Sequence, residues 1–354
     1  LSRLQRLGFF TRLLDNATAS DRYRLATEQI VHAEAQGFDS AWVAQHHFHE
    51  AEGGLPSPLV FLASVAAQTK RIRLGTGIVT LPLENPVRVA EDAVVLDLLT
   101  RGRLEFGVGT GGTPSSFTAF GLNSEQRAEV FASHLALLRD AWAGKPLPGG
   151  DRLYPSSPQL LDRVWQASFS VAGGERAGRA GDGLMLSRTQ PRMPEAPHAS
   201  LADIQLPIIE AYLSALPAGR APRIVGSRSV FVADDRALAR RLAEEGLRRS
   251  LVRQPPLQGS VATDAPLDVL IARQDVHVGT PSDVIASLRA DRTLAHVTDL
   301  VCQVHSVDPP HRHILRSIEL IAKEVAPALG WVPGGDKASS ASSIPNETTL
   351  QTIA

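Results

Sequence analysis

Cysteine is almost absent from this sequence: Cys302 is the only one in 354 residues, so no disulfide can close within the chain. For the same reason, no cysteine-based zinc or iron–sulfur cluster can be built from it alone. Excess charge of one sign is missing too, since 36 Lys+Arg face 37 Asp+Glu. That balance provides no electrostatic footprint for nucleic acid or for an anionic membrane surface. No apolar run approaches the roughly 20 residues of a membrane span, and Arg3 and Arg6 interrupt the first ten residues where a signal core would need to be apolar. A P-loop with its lysine is missing as well, and no separate nicotinamide domain is expected. The expectation is a cytoplasmic protein acting on a small molecule, with any reductant arriving from elsewhere.

What is present is a repeat of short apolar runs separated by amphipathic stretches, the pattern of strands buried on both faces alternating with surface helices. Candidate strands are 6–11, 39–44, 72–81, 104–108, 168–172, 183–187, 224–232 and 300–304. Helical spacing links Tyr23, Ala26, Ile30 and Ala33, then Val87, Ala90, Val94 and Leu98, then Phe131, Leu135, Leu138 and Trp142, and finally Ile314, Ile318, Ile321 and Val325. Eight strands with helices between them, in a chain of this length, predict a single (β/α)8 TIM barrel over 1–330 with insertions near the C-terminal face of the strands. Residues 250–276 read as a mobile loop and Pro191–Pro207 as an irregular connector, while 331–354 lack a core pattern and read as a disordered tail.

Barrel enzymes place their chemistry just after the strands. The second strand runs into Gln45-His46-His47-Phe48-His49, which brings groups titrating near neutral pH to a strand end. His47-Phe48-His49 also fits a metal reading, but such a site needs further ligands, and the fifth and sixth strand ends offer no histidine or carboxylate directly after them. Gly75-Thr76-Gly77-Ile78 places glycines inside a strand, a mark of a bulge or of close ligand approach. Gly107-Val108-Gly109-Thr110-Gly111-Gly112 removes side-chain bulk next to the same region, leaving room for a flat ring. Gly173-Gly174-Glu175-Arg176 reads as a small-residue turn opening a helix with an arginine nearby, a miniature phosphate site.

These blocks resemble the bacterial luciferase-like flavin monooxygenases over nearly the whole chain to Leu329. The similarity is carried by 37–48 with its QHHF, by 71–82, by Asn85-Pro86-Val87-Arg88 and the residues to Asp92, by 102–109 and by Val278-Gly279-Thr280-Pro281. The strings LPSPLVF and GDGLMLSRTQPR are similar to those of an FMN-dependent subgroup. The resemblance implies that Phe10, Gly77 and Ile78 face the isoalloxazine of FMN with Gly109 and Thr110 beside it, and that Gly173, Gly174 and Arg176 hold its phosphate. It further implies that Ser187 and Arg188 touch the cofactor, that Arg228 binds substrate, and that His46 is the acid/base, with Gln45 and His47 beside it. Gln45 stands where the family commonly has glutamate, and Gly109 stands where luciferase has a reactive cysteine. The implied cycle uses reduced FMN from a separate NAD(P)H:flavin reductase and O2 to oxygenate a small organic substrate. Its rivals are a deazaflavin-dependent dehydrogenase on the same barrel and a non-catalytic flavin-binding protein. A homodimer is expected through Leu59, Leu62, Ala63 and Ala66.

Overall fold

The structure, a computed structural model, describes residues 4–253, 264–304 and 308–334. Eight strands close a parallel barrel: β1 Arg6–Thr11, β2 Ser40–Ala44, β3 Arg73–Thr80, β4 Leu104–Gly109, β5 Val164–Ala167, β6 Gly183–Leu186, β7 Ile224–Val232 and, last in the chain, β9 Asp299–Gln303. Pairing of β6 with β7 and of β1 with β9 completes the ring. A further strand, β8 Val276–Gly279, lies alongside the outer half of β7, from Ser229 to Val232. Among the described residues no helix is long and apolar enough to cross a membrane.

Four expectations change here. The fifth strand is Val164–Ala167 rather than 168–172, because Ser170 accepts the Gly173 amide at 3.2 Å and starts the helix Val171–Arg179. A capping serine thus outweighs the strand preference of Phe169 and Val171. The expected connector Pro191–Pro207 contains the start of the helix Leu201–Ala215, fixed by a capping box between Ser200 and Asp203, with Pro207 inside the helix. The expected mobile loop 250–276 holds the end of the helix Arg236–Arg253, the helix Leu267–Arg273 and the first residue of β8; positions 254–263 lie outside the described residues. Trp331, expected to open the tail, is buried and donates its indole N–H to Asp39 Oδ2 at 2.7 Å; 335–354 lie outside the described residues.

The helical stripes largely face the barrel, with Ala26, Ile30, Ala33, Ala90, Val94, Ile314 and Ile318 buried, while Tyr23 and Leu98 end their stripes in solvent. Inside the ring, alternate residues stack in layers. The bottom layer is ionic, with Arg73 Nε on Glu105 and Arg6 3.8 Å from Glu105 and 4.0 Å from Asp299. Above it sit Trp42 and Trp165, edge to face at 5.7 Å. Gly75 and Gly183 make room for them, since a Cβ at either position would overlap the neighbouring indole. Their N–H groups are satisfied by Ser40 Oγ at 2.9 Å and Glu105 Oε2 at 2.7 Å, as buried indoles require. Met185, Val225 and Val301 fill the remainder, so the barrel is plugged below and can only open at the C-terminal ends of its strands.

Candidate active site

The floor of that opening is apolar. Phe10 and Ala167 pack on the tryptophan layer but remain partly exposed above it. The register of β3 slips between Gly75 and Val79, which is the bulge expected from its glycines. At the slip, a Cβ on Gly77 would come 2.5 Å from the Phe10 ring, and one on Gly109 would come 2.8 Å from Ile78 Cδ1. Phe10, Gly77, Ile78 and Gly109 therefore form one continuous surface across β1, β3 and β4, with Thr110 at its edge where β4 ends. These are the five residues that the resemblance groups, and the structure brings them to one surface.

His46 stands beside this floor, a quarter exposed, with Nδ1 3.4 Å from Glu52 Oε2. Glu52 is oriented by the Thr113 hydroxyl at 3.1 Å. Burial is the largest influence on His46 and lowers its pKa below the ordinary 6.5, while Glu52 opposes the shift and Arg12 adds to it. Glu52 is held below the usual carboxylate range, first by His46 and then by Thr113 against the cost of burial. A carboxylate on Nδ1 keeps the proton on that nitrogen and leaves Nε2 with a free lone pair, the form a base needs. Sequence reasoning missed Glu52, which lies six positions past His46 in an irregular loop; only the general need for a group to orient a base could have suggested it.

The neighbours of His46 divide. Gln45 does not act on protons: its Oε1 accepts the Thr80 amide at 2.7 Å and its Nε2 donates to Glu84 Oε1 at 2.7 Å and the Pro56 carbonyl at 3.1 Å. A carboxamide engaged at both ends ties β2 to β3 and the following loops, so it positions the strand end. His47 meets the Phe120 ring edge-on at 5.1 Å, and Phe48 lies 5.6 Å from the same ring. The metal reading gains no support, because His49 turns to Ser115 Oγ at 2.8 Å and no group of three or more metal-binding side chains is assembled among the described residues.

Arg228 is corrected outright. Its side chain is 0% exposed and points away from the barrel interior, where Nε donates to Asp291 Oδ2 at 2.6 Å and the other nitrogens donate to Ser227 O, Gln205 Oε1 and Thr293 Oγ1. Strand alternation explains the error: Val225 and Ser229 face inward, so Arg228 faces out. The arginines that do reach the mouth are Arg188, which donates to Ser229 Oγ at 3.2 Å after β6, and Arg12, unnoticed in the sequence, which follows β1 and donates to the Glu52 carbonyl. Ser187 precedes Arg188 and is partly exposed.

The expected phosphate residues also divide. Gly174 serves packing, since a Cβ there would come 2.5 Å from the Ile208 carbonyl of the neighbouring helix. Arg176 lies in the second turn rather than at the helix start, donates to Gln166 Oε1 at 2.9 Å and covers the Phe131 ring at 5.0 Å. Both have structural partners that explain them without a phosphate. Gly173 lies in the first turn, where a side chain would overlap Ser168 Oγ. What remains for an anion at this end is the exposed start of the helix at Val171 and Ala172.

Comparison with known proteins places this arrangement. The family model described as luciferase-like monooxygenase matches residues 7–297. The chain is 30% identical over 331 residues to a 4-hydroxyprotoasukamycin monooxygenase of Streptomyces nodosus subsp. asukaensis, covering 86% of each protein. It is 35% identical over 168 residues to an F420-dependent glucose-6-phosphate dehydrogenase of Kineococcus radiotolerans, covering 44% of this chain and 50% of that one. The fold matches the oxygenating constituent of 3,6-diketocamphane monooxygenase from Pseudomonas putida, solved with FMN, with a TM-score of 0.70, 20% identity, and coverage of 92% of this chain and 98% of that one. The chain belongs to the luciferase-like monooxygenase family and is an oxidoreductase.

Proposed function

We propose that the protein is an FMN-dependent monooxygenase that uses reduced flavin and O2 to oxygenate a small organic substrate, the electrons being delivered by a separate NAD(P)H:flavin reductase. The observation that carries this reading is the juxtaposition of an open apolar floor, Phe10, Gly77, Ile78 and Gly109, with a histidine whose Nδ1 is held by a carboxylate. The residues fit a flavin on structural grounds. The floor is flat because two of its four members lack a Cβ, and a side chain at Gly77 would rise into Phe10. The exposed first turn of the helix Val171–Arg179 offers amides to a phosphate.

When bound, reduced flavin supplies the two electrons that activate dioxygen for insertion of one oxygen atom into the substrate. The protein's own contribution is to hold the ring against Phe10 and Ile78, and to manage protons. His46 Nε2 takes up or returns a proton at the edge of the floor, Glu52 stabilises the imidazolium that forms, and Gln45 keeps the strand end carrying His46 in place. The tryptophan layer closes the floor from below, so solvent reaches the site from one side only.

A second reading, hydride transfer to or from a deazaflavin, draws on the similarity to the F420-dependent dehydrogenase. Loading the protein anaerobically with reduced FMN and then admitting oxygen separates the two. Flavin reoxidation at a rate distinct from that of free reduced FMN is expected, and reoxidation indistinguishable from free flavin, with turnover only on reduced F420, would favour the dehydrogenase. Homodimer formation belongs to the same proposal, with its surface revised. Leu62 is buried, and Leu59, Ala63 and Ala66 pack on the core. The apolar side chains exposed on the helices Pro58–Ala66 and Pro86–Thr100 are Val60, Val95, Leu98 and Leu99.

A further inference from the structure

Two arginines, Arg12 and Arg188, reach the mouth, and neither has an acid as its hydrogen-bond partner. Arg12 leaves β1 two residues after Phe10, on the inward-facing parity of that strand. It donates to a backbone carbonyl, Glu52 O. Arg188 leaves β6 and donates to a hydroxyl, Ser229 Oγ, on the inward face of β7. Among the described residues neither guanidinium has a carboxylate within 4.0 Å, although both are partly enclosed. The acids whose fields reach them have other partners: the Glu52 carboxylate pairs with His46 and Thr113, and Asp275 Oδ1 with Arg192 at 2.7 Å, while Asp275 Oδ2 is buried without a hydrogen bond and lies beyond 4.0 Å of Arg188. Burial holds Arg12 down to about 9 and Arg188 to about 10, each still cationic at neutral pH, and the field of Arg188 adds to the shift on Arg12. Two like charges in a poorly solvated space, with neutral hydrogen-bond partners only, are costly unless something else neutralises them. Arg228 shows how the same fold treats an arginine meant to stay internal: it receives Asp291 at 2.6 Å.

We propose that Arg12 and Arg188 form an anion-binding subsite at the rim of the apolar floor, and that the substrate is a small organic oxyanion, a carboxylate, sulfonate or phenolate joined to an apolar body. Planar guanidinium forks suit such groups, and Phe10, two residues before Arg12 on the inward face of β1, begins the apolar floor that would take the apolar part. Within the proposed monooxygenase this subsite fixes which end of the substrate faces the flavin. The inference deepens the proposed function, and the subsite is tested without flavin so that the two can fail separately.

The same anion chemistry could come from the phosphate of FMN, and the experiment distinguishes the sources. Benzoate and its neutral isostere benzamide are titrated calorimetrically into the flavin-free protein, and FMN and riboflavin are titrated separately, for the wild type and for Arg12→Gln and Arg188→Gln. Wild type should bind benzoate more tightly than benzamide. Each variant should lose roughly 10- to 100-fold in benzoate affinity while its ratio of FMN to riboflavin affinity stays unchanged. Circular dichroism checks folding, and Arg12→Lys and Arg188→Lys, which keep the charge but not the fork, should fall between. Equal binding of benzoate and benzamide by the wild type would overturn the subsite. Loss of FMN relative to riboflavin would assign the guanidiniums to the cofactor phosphate and overturn the substrate assignment.

Discussion

At the N-terminal end of the barrel Arg6 and Arg73 meet Glu105 and Asp299 inside the ring, whereas at the C-terminal end Arg12 and Arg188 stand on neutral partners while Glu52 is turned toward His46. Both ends bury charge, but only the lower one balances it internally. The lower layer also supports the tryptophans, since Glu105 accepts the Trp165 indole and Arg223 covers its ring at 4.9 Å. Charge matched within the fold serves stability, and charge left partly unmatched at a strand end is available to a ligand.

The largest expected effect breaks the upper end. His46→Asn keeps a hydrogen-bonding side chain that cannot take up a proton near neutral pH, so oxygen-dependent turnover should fall about 100- to 10,000-fold while flavin affinity and melting temperature barely move. Undiminished turnover would remove His46 from the mechanism.

Next comes the contrast between two arginines. Arg228→Met strands Asp291 in a mostly buried site and should cost about 3–5 kcal/mol in denaturant unfolding. Arg188→Met removes a cation with no close acid and should cost much less. Equal losses would contradict the distinction drawn between the two ends.

A smaller effect sharpens the lower end. Burial raises Asp299 from 3.8 to about 6 despite the help of Arg6 and Thr298. A carboxyl whose folded pKa is raised favours the fold when protonated, and that contribution is lost as pH climbs from about 4 through 6. Asp299→Asn should flatten the dependence of stability on pH in that window and gain up to about 3 kcal/mol over the wild type at pH 8. A variant less stable than wild type at pH 8 would show that the ion pair with Arg6 outweighs burial.

The smallest effect is a shift along the pH axis. Because burial lowers the pKa of His46, the acid limb of kcat/KM should lie below 6.5, with activity lost as pH falls through it. Glu52 raises that pKa, so Glu52→Gln should move the limb further down. A limb that stays in place would mean that Glu52 does not act on the titrating group.

The legible parts of this molecule were those governed by local pattern. Strand periodicity gave seven of the barrel strands nearly to the residue, and strand-interior glycines located the bulge at Gly77 and the floor around it. The fifth strand was misplaced because Val164-Trp165-Gln166-Ala167 is short and its neighbour Val171 carries strand-like residues into a helix start. Arg228 was carried over from the resemblance by position, which does not say what already holds a side chain; here Asp291 and the outer face of β7 hold it. Glu52 and Arg12 escaped notice because their pairing crosses 40 positions between two irregular segments, where no periodicity connects them.

The central claim, a site built for reduced FMN, is most directly tested by equilibrium titration of the protein with reduced FMN and reduced F420 under anaerobic conditions and with oxidised FMN in air. The account predicts tightest binding of reduced FMN, because an enzyme fed by a separate reductase must accept that form and release the oxidised one. Equal affinity for the two FMN forms, or preference for F420, would contradict it.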